Sequence, residues 1–552
     1  MDFKRENLQC DVLVLGGGLA GCMAGIKASE MGASTIIVEK SRVERSGCAA
    51  TGLDHYWTLP PDKGVSKEEF IKNYSNNVEH LVDHEVLDTI VSESYERVAD
   101  LERFGITMKA DNGEFRWVGE PFIHPYKFSI HYPGRDMKKK MAQAARKAGA
   151  KILNRTMAFR LLTNDKKVIG ATAFNLREGM FYCISAKTVI LATGGATRLY
   201  RTPSGRSFST FACPSDTGDG FSMAFHAGAE LSCMEFSEGT AAPAFRPGSL
   251  GNFTGVGGNL VNVKGEPFSK THLRFLFAHN FLREIEEGNG PLFVDTSTIK
   301  EEDWKWVEMG LGNEVPMFLR YLKESGKFGT PCKIAVEIVE YDLRDGRSGV
   351  AIDKEARASL EGLYAAGDVM GGVAEAGGPG AITMGWKAGK TAVEYSAGIN
   401  HETLDDTQIE SQMEFLSAPL KREDGVTWQE IESVLQRIMT EQVGSVRSEP
   451  GLKWALEKVI ELGRYAVNNL IARDFHELSR CHEIINLIDT GRMCIKASLE
   501  RTESRHMPYF QRKEYSDRND NEWLKFVIVA KGKDEDEIAA FTKDINLKYR
   551  GE

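Results

Sequence analysis

Cysteine never occurs here as a close pair: nine cysteines, at 10, 22, 48, 183, 213, 233, 332, 481 and 494, stand singly with no C-x-x-C spacing. That excludes a disulfide framework and leaves no local iron–sulfur or zinc motif, so no metal site is expected. Long apolar runs are missing too. No stretch reaches the roughly 18 apolar residues that mark a membrane-spanning helix, and Met1 to Leu8 is polar and charged where a secretory signal would have an apolar core. The expectation is a cytoplasmic protein with no direct membrane insertion. Positive charge is not in excess: 69 Lys and Arg against 79 Asp and Glu give a net charge of -10, which argues against nucleic acid or an anionic membrane as the main partner.

What the chain does have is glycine, 54 residues of it in 552, enough to suggest many tight turns or backbone contacts to a ligand. The length predicts two to four domains. The chain opens with an apolar run, Asp11-Val12-Leu13-Val14-Leu15, then Gly16-Gly17-Gly18-Leu19-Ala20-Gly21, then a segment rich in small residues. This is the strand, glycine turn and helix of a dinucleotide site. Gly16 permits the turn, Gly18 lets backbone approach a pyrophosphate, and Gly21 lets helix pack on strand, while the helix N-terminus offers N–H donors. A second apolar run, Thr35-Ile36-Ile37-Val38, ends in Glu39, whose carboxylate can accept hydrogen bonds from an adenosine ribose. The motif by itself does not separate FAD from NAD.

Two more apolar runs lead into glycine, Thr188 to Gly195 and Gly362 to Asp368. Glycine turns at 16, 194 and 367 predict one nucleotide domain assembled from distant segments, with other material inserted. The expected fold class is α/β: a discontinuous Rossmann-like domain over 1–245 and 355–405, an inserted α+β capping and substrate domain over 246–354, and a helical C-terminal domain over 406–552. Amphipathic segments at Trp428 to Val443, Leu452 to Asn469 and Leu478 to Glu500 carry the last expectation, with a strand at Leu524 to Val529.

Taken in order, these pieces resemble the flavoprotein family of fumarate reductase, succinate dehydrogenase, aspartate oxidase and adenylylsulfate reductase, over nearly the whole chain. The carriers are the glycine turn with Glu39, Arg45-Ser46-Gly47-Cys48-Ala49-Ala50-Thr51-Gly52, Ile190 to Gly195, Asp216-Thr217-Gly218-Asp219-Gly220, Met234-Glu235-Phe236, Gly362 to Asp368, and Arg501-Thr502-Glu503-Ser504-Arg505. The resemblance implies FAD. It implies contacts from Gly16, Gly18, Leu19, Ala20, Gly21, Glu39 and Lys40 to the ADP half, and from Ser46, Gly47, Cys48, Thr51 and Gly52 to the ribityl chain and flavin ring. Ala192, Thr193, Gly194, Asp219, Gly367, Asp368, Gly380, Ala381 and Ile382 complete that set. The run Gly371 to Ala381 can place backbone N–H groups and a helix N-terminus near the pyrimidine end, where reduced flavin carries negative charge. Membrane-bound members attach FAD through a histidine in a Ser-His-Thr context; the corresponding position here is Ser46, which implies noncovalent FAD.

In fumarate reductases an arginine donates the proton and a His/Arg set clamps the carboxylates. Arg274 falls at the register of that arginine, ahead of Arg283-Glu284-Ile285-Glu286-Glu287-Gly288, but Phe275 stands where the family has Asp. Other features are missing. No His-Pro-Thr follows Met234-Glu235-Phe236, and neither Phe253 to Gly258 nor Val373 to Ala381 contains arginine. Fumarate itself is therefore not the expected substrate. Gly346-Arg347-Ser348-Gly349 and Arg505 to Arg512 look closer to the adenylylsulfate reductase branch, which works with a separate iron–sulfur, ferredoxin-like subunit.

The cationic candidates are Arg246, His272, Arg274, His279 and Arg347, suited to a carboxylate or sulfate, with His55, Tyr56 and Trp57 lining the site from the flavin side. For Trp117 to Tyr132, packing is favoured over a substrate-facing role. Arg501 to Arg505 and Arg512 read equally well as a brace between the helical and flavin domains or as functional groups. The expected activity is transfer of hydride or electron pairs between FAD and a small anionic substrate at the cap interface, in a possible oligomer. The alternatives are adenylylsulfate reductase proper, with sulfite chemistry on the flavin, and an electron-transfer flavoprotein whose partner carries the chemistry.

Overall fold

The computed structural model describes residues 3–61, 64–118, 127–201, 212–244, 250–268, 274–506, 509–534 and 537–549. Its main sheet has seven strands, in the order Lys151–Asn154, Thr35–Glu39, Lys4–Leu15, Met180–Leu191, Lys167–Asn175 and Thr156–Asn164, with Leu363–Ala365 also paired to Met180–Leu191. Lys151–Asn154, Thr35–Glu39, Lys4–Leu15, the Met180 strand and Leu363–Ala365 run parallel. Val12 to Leu15, Ile36 to Val38 and Val189 to Leu191 are buried, as near-continuous apolar runs should be when helices cover both sheet faces.

Register is what makes the site. Leu15 lies opposite both Val38 and Leu191, and Leu191 lies opposite Ala365. Four strands from three distant parts of the chain therefore end level, and Gly16, Gly194 and Gly367 turn away from one edge. That edge, outside the carboxyl ends of parallel strands, is where open α/β sheets bind ligands.

Helix Leu19–Glu30 leaves Gly18 and packs beneath helix Gly377–Ser396. A Cβ on Gly385 would lie 2.5 Å from Ala20 O, and one on Gly389 would lie 2.5 Å from Ala24 O. Only glycine allows that approach.

A separate antiparallel sheet of four strands, Glu238–Pro243, Lys333–Asp342, Leu292–Asp295 and Asn259–Val261, has its own apolar core of Phe253, Leu292, Val294, Val307 and Leu311. Glu238–Pro243 belongs to this cap sheet although it precedes residue 246. Gly349–Ala351 precedes 354 and pairs instead with Leu231–Ser232 and Met370–Gly371, on the flavin side.

The C-terminal part is helical, with Asp406–Lys421, Trp428–Gln442, Glu449–Asn469 and the 26-residue Phe475–Glu500, whose residues from Leu478 to Ser498 are almost all buried. Strand Lys525–Lys531 follows, in a hairpin with Ile538–Asp544. Among the described residues no helix is long and apolar enough to cross a membrane.

Candidate active site

The glycine turn is shaped by what surrounds it. Gly16 has φ +100°, and a Cβ there would lie 2.2 Å from Ala192 O; a Cβ on Gly21 would lie 1.9 Å from Gly16 O. Gly18 differs: a Cβ there would meet no atom within 4 Å. Two glycines are thus required by protein packing, whereas Gly18 faces open space at the helix N-terminus, where a pyrophosphate would approach.

Glu39 is fixed by two backbone donors, Gly17 N at 2.7 Å and Ser41 N at 2.6 Å. Each carboxylate oxygen retains a second lone pair, which is what a ribose diol requires. Beneath the turn lies a group that the sequence alone did not single out. Lys138 is 1% exposed, and its ammonium donates to Gly17 O at 2.5 Å and to Val43 O. The signal was present in helix Met137–Ala148, because the helical period places residue 138 on the face of Met141, Ala142 and Ala145. Three consecutive lysines hid which one points inward.

Ser46 donates from Oγ to Gly17 O at 3.1 Å, and Gly47, at φ +75°, lies against Gly18, so the 45–52 segment closes over the turn. The sequence Arg45-Ser46-Gly47-Cys48 contains no histidine that could form a tether. Cys48 donates to Asp216 at 3.3 Å and lies 3.7 Å from Asp368. Burial pushes Asp368 up to about 7, with Asp345 adding to the rise, and burial also raises Asp216. Thr51 belongs to the short 3-10 turn Cys48–Thr51. Gly52, at φ +124°, sits against Arg135, with the carbonyl of Asn313 from cap helix Trp304–Glu314 beside it.

Ala192 is hydrogen-bonded to Leu15 O, and Gly194, at φ +80°, lies against the Asp216 carboxylate. The Thr193 hydroxyl is buried without a protein partner, an orphaned polar atom beside the crevice. Gly367 touches both Ala20 and Ala381, which joins the first and last nucleotide-binding segments directly; Leu19 and Ile382 are buried in the same core. Gly380 lies in the first turn of helix Gly377–Ser396, against Ala376.

The side chains of Lys40 and Asp219 are bonded to each other and to the C-terminal helix Phe475–Glu500. The Lys40 ammonium is held by Asp219 at 2.8 Å and Glu483 at 3.0 Å, and Asp219 also accepts from Asn486. Burial works against the lysine charge, but its two carboxylate partners outweigh it and raise its pKa. The pair fastens the flavin domain to helix Phe475–Glu500.

The cationic candidates separate. Arg246 and His272 lie outside the described residues, and Arg274 and His279 are on helix Arg274–Glu286, with their side chains outside what is described. Arg347 is 2% exposed. Its Nε donates to Glu238 Oε1 of the cap sheet at 2.5 Å, whereas Nη1 and Nη2 are buried with no protein acceptor. Its carbonyl accepts from Gly372 N at 2.9 Å, and Gly346 O accepts from Val373 N, which ties this arginine to the Gly371 to Ala381 loop. His506 stands 3.4 Å from Glu238; burial, then Arg347, lowers its pKa.

Arg501, Arg505 and Arg512 form the brace. Arg501 donates to Glu235 at 2.7 Å and to Glu503, Arg505 donates to Glu503 and Asp520, and Arg512 donates to the carbonyls of Ser498 and Arg501.

Comparison with known proteins agrees with this geometry. An FAD binding domain family matches residues 11–382, and a fumarate reductase flavoprotein C-terminal family matches 432–550. An uncharacterized FAD-dependent oxidoreductase of Methanocaldococcus jannaschii is 27% identical over 95% of this chain and 97% of its own length. One subunit of the CoM/CoB fumarate reductase of Methanothermobacter marburgensis is 27% identical over 95% of this chain and 98% of its own. Adenylylsulfate reductase from Archaeoglobus fulgidus has the same fold, with a TM-score of 0.89 and 24% identity over 98% of this chain and 96% of that one. This chain belongs to the fumarate reductase and succinate dehydrogenase flavoprotein family and is an FAD-dependent oxidoreductase.

Proposed function

We propose that this chain is the flavoprotein subunit of an oxidoreductase that acts on a small anionic substrate held between cap and flavin domain. The observation that supports it most is Arg347. A buried guanidinium with two terminal nitrogens lacking acceptors is costly, roughly 1–3 kcal/mol for each unsatisfied group. Glu238 balances the charge from the Nε side, and the remaining fork of donors has the shape that carboxylates and sulfur oxyanions accept.

The residues fit FAD. Gly18 provides the open approach, Glu39 the ribose acceptor, Thr193 an unused hydroxyl, and the Gly371 to Ala381 loop backbone donors. Bound FAD supplies two-electron chemistry, taking or giving hydride. The chain's own part is to hold the anion at Arg347, bury it beneath the cap sheet, and keep water from the reacting atoms. With no histidine between Arg45 and Gly52 the FAD is noncovalent. Electrons pass to or from an iron–sulfur, ferredoxin-like partner, a reading that accords with a relative named as one subunit of its enzyme.

Anaerobic titration tests this. The reduced holoprotein is mixed with fumarate, other enoates, adenylylsulfate or sulfite while the visible flavin band is followed. At least one small anion is expected to reoxidise or perturb the flavin, and the double variant Arg347→Met with Glu238→Gln, which leaves no unpaired buried charge, is expected to lose that response at unchanged FAD content. Reoxidation by a ferredoxin but by no small anion overturns the reading in favour of an electron-transfer flavoprotein. Acid precipitation is expected to release the FAD.

A further inference from the structure

We propose that Asp54 and His55 form a proton-transfer dyad at the seam between flavin domain and cap, with His55 Nε2 exchanging with the substrate the proton that accompanies hydride transfer. This rests on the anionic-substrate reading above.

Strand pairing builds the dyad. His55–Trp57 runs antiparallel to Ser129–His131 with His55 directly opposite His131, and the two rings stack with centroids 4.5 Å apart. Asp54 is buried at the start of the strand, and His55 Nδ1 donates to its Oδ1 at 2.7 Å. The second carboxylate oxygen faces His131 Nε2 at 3.8 Å. Burial alone would raise Asp54, but its two histidine neighbours, His131 and the hydrogen-bonded His55, outweigh it and hold the carboxyl well below the usual range. An ionised carboxylate on Nδ1 fixes the His55 tautomer, stabilises its imidazolium and directs Nε2 the other way, the arrangement by which a carboxylate and an imidazole share acid–base work.

Location adds the second argument. Gly52 lies against Asn313 of the cap, and Leu53 packs on Gly378 at the start of helix Gly377–Ser396. The dyad follows immediately, so it sits where the cap meets the Gly371 to Ala381 loop, to which Arg347 is hydrogen-bonded. On the same strand Trp57 packs against Tyr74, whose hydroxyl donates to Ala374 O in that loop. His55 has 38% of its side chain exposed, the accessible end of a relay whose other members are buried.

Asp54, His55 and His131 also lie close enough together to suggest a metal cage, with one ligand atom from each within 4.8 Å of the others. Arg116 decides against it. Its Nη1 lies 2.9 Å from His131 Nδ1, and a guanidinium only donates, so His131 Nδ1 is the acceptor and the proton of the neutral ring is on Nε2, pointing at Asp54. A ring in that state offers no lone pair to a metal beside Asp54. Among the described residues the charged or titratable groups around His55 include Asp54, His131 and Arg116, and Arg116 in turn feels Asp303 of the cap and stacks on Trp306.

Atoms and electrons balance in the step. Reduced FAD, when bound, would supply the hydride, two electrons and a proton, that adds to one carbon of a polarised double bond in the anion as the π bond breaks. The other carbon takes H⁺ from His55 Nε2, which is left neutral and is recharged from solvent. In the oxidising direction the same atom accepts the proton.

The test uses holoprotein labelled with [13C,15N]-histidine. The His55 signal, identified by its loss in His55→Gln, is expected to report the Nδ1–H tautomer, to change tautomer in Asp54→Asn, and to shift with millimolar fumarate or another enoate whenever that anion perturbs the flavin band. Reoxidation by the anion is expected to slow by about 100-fold or more in His55→Gln and to lose its pH dependence, at unchanged FAD content. An anion that perturbs the flavin but leaves the His55 signal unmoved overturns the dyad alone, as does a His55→Gln variant with the wild-type rate and pH profile. If no anion perturbs the flavin, the substrate reading falls and the dyad with it.

Discussion

Gly18 and Gly21 are three residues apart in one motif, yet the structure assigns them different duties, and exchanging each for alanine separates the two. At Gly21 a methyl would lie 1.9 Å from Gly16 O, about 1.5 Å inside the 3.4 Å at which ordinary van der Waals contact begins. Gly16 has no room to retreat, being pressed against Ala192 O, and helix Leu19–Glu30 is pinned from above by Gly385 on Ala20. Backbone overlap of that size exceeds ordinary overpacking, so Gly21→Ala is expected to destabilise the apoprotein by about 3 kcal/mol. At Gly18 a methyl meets nothing within 4 Å and φ is -63°, within reach of any residue. Loss of a glycine N-cap costs under about 1 kcal/mol. FAD affinity behaves differently, because the methyl occupies the path of the pyrophosphate, and a weakening of about 30-fold or more, roughly 2 kcal/mol, is expected. Denaturant unfolding of the two apoproteins and fluorescence titration with FAD measure both quantities. A Gly18→Ala protein that binds FAD as tightly as the parent, or a Gly21→Ala apoprotein as stable as the parent, would refute the assignment.

Lys138→Met removes the donor to Val43 O and one of three side-chain donors to Gly17 O, since Ser46 and Cys22 also serve the latter; a loss of about 2–4 kcal/mol in denaturant unfolding is expected, and a gain would show that desolvation of the ammonium dominates. Asp368, raised by burial to about 7 in the folded chain, binds its proton more tightly folded than unfolded. The folded state therefore holds more protons between about pH 4 and 7, and apoprotein stability falls as pH rises through that window. Asp368→Asn is expected to flatten this slope in unfolding titrations; an unchanged slope assigns it to Asp216 or elsewhere. Arg274→Ala is expected to lower turnover while FAD content stays normal, and unchanged turnover removes that arginine from the chemistry.

The nucleotide half was legible because its constraints are local. A strand that ends in glycine announces its turn, and Gly16, Gly194 and Gly367 could be assigned to one domain before any pairing was known. Register then brought their three turns to one edge. The C-terminal helices were legible for the same reason, since each carries its own period. What motif membership could not show for Lys40 and Asp219 is where their side chains go: Glu483 and Asn486, more than 260 residues away, hold them.

The substrate half depends on pairings of another kind. Glu238 lies 109 residues from Arg347, in a strand of small residues that shows no alternation, and only sheet formation in the cap carries its carboxylate to the guanidinium. His55 was singled out beside Tyr56 and Trp57, but its significance needed His131, which no spacing rule connects to it until two short strands pair. Arg347, one of five cationic candidates, gains its distinction from what surrounds it: burial, one carboxylate on Nε and nothing on Nη1 or Nη2. An arginine in a sequence reports its charge, whereas the number of its donors left unanswered is a property of the fold. That count is where specificity for an anion begins, because a guanidinium whose three nitrogens all donate within the protein, such as Arg501 in its brace, presents no open fork to a ligand.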